Sequence, residues 1–134
     1  MTASRTIRIV AALIRDDAGR VLLVRKRGTS AFMQPGGKLD AGEDDVTALS
    51  REISEELGCL VVTDSVRPLG AFDAVAANEP GFRVQANVYR VDVTGEISPR
   101  REIDEAIWID PASPPDIRLA PLTRDHVLPL ALQA

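Results

Sequence analysis

Cysteine is nearly absent from this chain. Cys59 is the only one in 134 residues, which excludes an internal disulfide and any metal cluster built on several thiolates. Flanked by Gly58 and the apolar stretch LVV, it reads as a small buried hydrophobe. Positive charge is not in excess either: sixteen basic residues against twenty acidic ones leave a formal net charge of −4. A protein that grips a nucleic-acid backbone carries a dense basic face, so no nucleic-acid polymer is expected as partner. Long apolar runs are also missing. Nothing approaches the roughly 20 residues of a membrane-spanning helix, and the opening MTASRTIRIV has no apolar core followed by a small-residue cleavage site. No membrane partner and no secretory signal are expected; a cytoplasmic location is.

What is present is 45% hydrophobic and 27% charged residues with scattered Pro and Gly, a globular composition. One domain over 1–134 is expected, because the length supports a real core but not two domains of ordinary size. The stretches RTIRIVAALIR and RVLLVRKR flank the turn signal Asp16-Asp17-Ala18-Gly19 and read as a hairpin, 5–15 paired with 20–27. Residues 28–43, centred on Pro35-Gly36-Gly37, read as a loop. In Asp44 to Leu57 the apolar positions Val46, Leu49, Ile53 and Leu57 recur at helical spacing, with Asp44 as N-cap and Gly58 as stop. Then LVV, VRPLGAFDAV, FRVQANVYRVDV and AIWID read as strands, and LTRDHVLPLALQ as a closing helix broken near Pro129. This order predicts an α/β fold in which a mixed β-sheet is covered by helices on both faces.

The first helix carries charges it does not favour. On a helical wheel Asp45, Glu52, Glu55 and Glu56 share an arc beside the apolar stripe. Like charges at these spacings repel by a few tenths of a kcal/mol each, and acids in the last turns oppose the dipole by roughly 0.3–1 kcal/mol. Helix stability alone does not select such a cluster. A hard divalent cation does, since it takes oxygen ligands from a few carboxylates plus substrate phosphates and removes the repulsion.

The stretch GKLDAGEDDVTALSREISEELGC, from Gly37 to Cys59, resembles the signature of the Nudix hydrolases, G-x5-E-x7-R-E-U-x-E-E-x-G-U with U bulky and apolar. Gly37, Glu43, Arg51, Glu52, Ile53, Glu55, Glu56 and Gly58 meet it with every spacing intact. Cys59 at the last U is a small departure that bears on packing. Pro35-Gly36-Gly37-Lys38, just ahead, is similar to the MutT-like members. The resemblance implies an α/β/α sandwich with a mixed sheet and a Mg²⁺- or Mn²⁺-dependent hydrolase of nucleoside diphosphates linked to a group X. It also implies a small-molecule nucleotide as partner, and a homodimer as readily as a monomer. Glu52, Glu55 and Glu56 would be metal ligands, Arg51 would orient them, and Gly37 would let backbone approach the metal site. Glu43 is an outer ligand or an anchor. Glu102 or Glu105, in the segment REIDEAIWID, would complete the metal site. The general base stays open between Glu55, Glu56 and these later acids.

For the substrate, one or two of Arg25, Lys26 and Arg27 are candidates for phosphate, Lys38 for substrate binding, Phe32 with Met33 for stacking on a base, and Gln34, Asn78, Gln85 and Asn87 for a base edge. Strand alternation puts Lys26 on the face opposite Arg25 and Arg27. Subfamily markers expected near Ala74 to Ala77 are absent. The expectation is therefore a MutT-like nucleoside triphosphate pyrophosphohydrolase, with nucleotide-sugar or other conjugate hydrolysis, and a non-catalytic nucleotide sensor, as alternatives.

Overall fold

The structure is a computed structural model that describes residues 5–133; residues 1–4 and 134, the ends of the expected domain, lie outside them. Strand β1 (Thr6–Ile14) pairs antiparallel with β4 (Gly36–Lys38) on one side and parallel with β7 (Arg83–Val91) on the other, and β7 pairs antiparallel with β6 (Arg67–Val75). This makes a mixed four-stranded sheet. A second, antiparallel sheet has the order β3 (Phe32–Met33), β2 (Val21–Lys26), β9 (Ile103–Ile109). Leu60–Val61 (β5) and Val93–Thr94 (β8) form a small third ladder.

Alternation along β1 and β2 explains the layering. Val10, Ala12, Ile14, Leu22 and Val24 pack with Ala48, Leu49, Ile53 and Leu57 of helix α1 (Asp45–Leu57), while Ala11, Leu13, Val21 and Leu23 pack with Leu122, Val127, Leu128 and Ala131 at the closing helix. Both faces of these strands are buried, so they read as continuous apolar runs. The result is the expected α/β/α sandwich. Each fully buried Leu or Ile of α1 contributes roughly 1.5–3 kcal/mol, far more than the propensity of an acidic helix supplies. Cys59 is buried in the α1-side core, as its flanks predict.

Three expectations are corrected. The turn at Asp16 forms, with Oδ1 accepting from the Ala18 and Arg20 N–H groups, but the hairpin does not: beyond the Arg15–Val21 bridge the two strands part into different sheets, where each finds longer ladders. The loop 28–43 contains β3 and β4. The closing helix is not broken at Pro129; a π turn, Thr123–Val127, runs into α2 (Leu128–Gln133), and such a widened turn accommodates a proline that lacks an N–H. Among the described residues no helix is long and apolar enough to cross a membrane.

Candidate active site

Helix α1 starts and stops by local chemistry. Asp44 Oδ1 accepts from the Thr47 N–H at 2.8 Å, and Gly58 ends the helix at φ +69°, a left-handed conformation that side chains resist. A Cβ on Gly58 would meet the Arg100 guanidinium at 2.5 Å, and this cation at the C-terminal end offsets the dipole that the glutamates oppose. The N–H groups of Ser98 and Arg100 satisfy the carbonyls of Leu57 and Glu56.

Glu56 sinks deeper than the wheel indicates. It is 4% exposed, its Oε1 accepts only a long 3.3 Å bond from the Gly36 N–H, and burial pushes its pKa up to about 8, with Glu52 and Glu102 adding repulsion. Burial also raises Glu52, against the pull of Arg51.

Arg51 ties the acids together. Its Nε and Nη2 form a fork on Glu43 at 2.7 and 2.9 Å, Nη1 donates to Glu52 at 2.8 Å and Glu55 at 3.3 Å, and Nη2 also reaches the Lys38 carbonyl. A charge-assisted fork of this kind is strong and directional. Glu43 is fully engaged, since the Asp40 N–H donates to it at 2.7 Å, and the Arg51 fork lowers its pKa to about 2.

The glycines let β4 come close. Gly37 opposes Val10 of β1, and a Cβ on it would stand 2.6 Å from the Glu52 carboxylate. Gly36 has φ +145°, and its Cβ would run into the Val10 carbonyl oxygen. Beside them opens a cleft of about 330 Å³, with Ile7, Ile9, Val84 and Leu122 on its apolar side and Lys26, Gln34, Lys38, Glu52, Asn78 and Glu102 among its polar groups.

The cleft thus gathers Gln34, Gly36, Gly37, Lys38, Glu52 and Glu102, with Glu56 against Gly36 and Arg51 behind. Glu55 stays at the edge on Arg51. Asn78 and Met33 line it too, whereas Arg25, Arg27, Phe32, Gln85, Asn87 and Glu105 are not brought to the cleft. Arg25 is paired with Asp104 and Glu105 at 2.8 and 2.6 Å, because Arg25 faces Glu105 across β2 and β9; Glu105 is thereby engaged as well. Arg27 donates to the Arg101 carbonyl. Phe32 is core, under the Arg25 guanidinium. Gln85 and Asn87 lie on the α1 side, where Asn87 and Tyr89 donate to Asp45. Of the three successive basic residues Arg25, Lys26 and Arg27, the one that lines the cleft is Lys26, 3.7 Å from Glu102, on the strand face opposite the other two.

Among the described residues no three His, Cys, Asp or Glu groups converge closely enough to grip a metal ion; Glu43, Glu52 and Glu55 turn to Arg51 instead. Their chemistry still fits a hard divalent cation. The donors are carboxylate oxygens, the most buried of them raised in pKa by desolvation, and Gly37 leaves no side chain against Glu52.

A family model, the NUDIX domain, matches residues 5–130. The chain belongs to the NUDIX family. Its NUDIX relatives include an 8-oxo-dGTP diphosphatase of Haemophilus influenzae, 37% identical over 62 residues, which are 43% of this chain and 46% of that protein; the chain matches about half the length of that relative. The crystal structure of a MutT NUDIX hydrolase from Burkholderia pseudomallei superposes with a TM-score of 0.75 at 26% identity, over 97% of this chain and 98% of that one. A MutT protein from Methanosarcina mazei shares the NUDIX fold with a TM-score of 0.79 at 22% identity, over 99% and 97%.

Proposed function

We propose that this chain is a Mg²⁺- or Mn²⁺-dependent nucleotide pyrophosphohydrolase that cleaves nucleoside triphosphates to a monophosphate and pyrophosphate. The observation that carries the reading is the meeting of Glu52, buried Glu56 and the Gly36-Gly37 backbone at one end of a nucleotide-sized cleft that also holds Lys26 and Lys38. Glu52, Glu55 and Glu56 would hold the cation, with Glu102 as the later acid. When bound, a divalent ion neutralises phosphate oxygens and lowers the pKa of water. Arg51 keeps Glu52 and Glu55 in reach and Glu43 anchors Arg51. Lys26 and Lys38 offer positive charge to the phosphates, while the apolar side of the cleft takes the base and excludes water. The proton of the attacking water goes to one of Glu55, Glu56 or Glu102. That the Haemophilus relative is an 8-oxo-dGTP diphosphatase supports a triphosphate.

The test is a panel of ordinary and oxidised nucleoside triphosphates, nucleotide-sugars and dinucleotides, with and without Mg²⁺, products resolved by chromatography. Metal-dependent release of pyrophosphate from triphosphates is expected. Cleavage confined to conjugates would replace the substrate class, and binding without turnover would replace the enzyme reading with that of a sensor.

A further inference from the structure

Among the described residues the buried polar or charged side chains are Gln34, Glu56 and Thr123. Glu56 belongs to the acidic cluster. The other two are bound to each other across 89 positions of sequence: the Thr123 hydroxyl, 0% exposed, donates to Gln34 Oε1 at 2.6 Å. This leaves the other end of the amide to be accounted for. Gln34 is 6% exposed and lines the cleft; among the described residues no acceptor faces its Nε2, and no buried side-chain nitrogen or oxygen lacks a partner. Nε2 therefore meets solvent, and the solvent it meets is that of the cleft. The π turn that starts at Thr123 thus decides which end of a buried amide the cleft presents. It presents the donor.

Resting on the reading of the cleft as a nucleotide site, we infer that Gln34 is a specificity-determining residue and Thr123 its positioning residue. Together they select bases with a carbonyl oxygen at the edge facing the cleft, keto bases over amino bases. A free amide could rotate and serve either a carbonyl or an amino group; turning this one would set Nε2 on the Thr123 hydroxyl, which can also accept, and leave the hydrogen of that fully buried hydroxyl with no other acceptor among the described residues, a cost that holds the amide as it stands. With Ile9, Ala120 and Leu122 also lining the cleft, an amino group set against the Nε2 donor leaves two donors facing each other in a poorly solvated place, and unpaired polar groups there discriminate strongly.

Hypoxanthine and adenine nucleotides differ at this edge and nowhere in bulk. The parent is expected to show kcat/KM for dITP roughly tenfold or more above that for dATP, carried in KM, and tighter equilibrium binding of dIMP than dAMP by calorimetry without divalent ions. Thr123→Val, which keeps shape and removes the hydroxyl, should bring both ratios close to one; Thr123→Ser should restore the preference. Gln34→Glu keeps an acceptor for Thr123 and turns an acceptor to the base, so it should shift the ratio toward dATP. Turnover with equal use of dITP and dATP by the parent, or an unchanged ratio in Thr123→Val, would overturn this inference alone. Silence on all nucleotides, together with no monophosphate binding, would overturn it along with the reading of the site.

Discussion

Glu56 has a pKa raised to about 8, first by burial, and this makes a sign-definite prediction. Its unfolded value is near 4.5, so between about pH 4.5 and 8 the folded state holds more protons than the unfolded state. Stability must fall as pH rises through that window. For protein stripped of divalent ions by chelation, we predict a decline on the order of 3 kcal/mol from pH 5 to pH 8 in denaturant titrations, largely absent from Glu56→Gln. A variant with the parent's slope would show that Glu56 is not the group responsible. The spacing of Glu56 was legible in the sequence. Its depth was not, because a helical wheel gives an angle and not the distance to β4.

The two glycines of β4 separate structure from activity. Gly37→Ala sets a methyl 2.6 Å from the Glu52 carboxylate, which swings aside; the predicted result is a folded protein, costing about 1–3 kcal/mol, with kcat/KM down roughly a hundredfold. Gly36→Ala meets backbone of β1 at φ +145° and cannot relax that way, so thermal unfolding should show the larger loss of stability. The reverse ranking would mean that β4 moves more freely than its pairing with β1 allows.

At the scale of elements, α1 is an acidic helix kept in place by one arginine and a buried stripe. Arg51→Lys keeps the charge but loses the fork on Glu43, and should cost roughly 1–3 kcal/mol and reduce turnover together. Because the Arg51 bond lowers Glu43 to about 2, the Glu43 contribution is complete above about pH 4.5 and is lost only as pH falls through about 2. Acid unfolding of the parent should therefore lag that of Glu43→Gln at pH 3, and coincident curves would remove Glu43 as an anchor. The helix, its N-cap and its glycine stop were all readable from Asp44, Leu49, Ile53 and Gly58. Strand partners were not: the Asp16 turn favours a hairpin locally, yet β1 gains β4 and β7, and β2 gains β9, which only tertiary packing decides. The same blindness hid the ion pair of Arg25 with Glu105, whose separation is set by the register of β2 on β9.

For the whole molecule, the continuous apolar runs of β1 and β2 implied strands buried on both faces, and the two helices placed early and late implied the sandwich. The motif from Gly37 to Cys59 indicated where the acids are. What stayed out of reach was the apolar cleft wall, which draws Ile7, Ile9, Val84 and Leu122 from three separate regions of the chain. The central claim joins that cleft to the acidic helix, and the most direct test is a Mg²⁺ titration of pyrophosphate release from nucleoside triphosphates by the parent and by Glu56→Gln. The account predicts saturable, Mg²⁺-dependent release by the parent and a loss of at least roughly a thousandfold in a variant that remains folded by circular dichroism. Equal turnover by the two proteins, or turnover that ignores Mg²⁺, would contradict it.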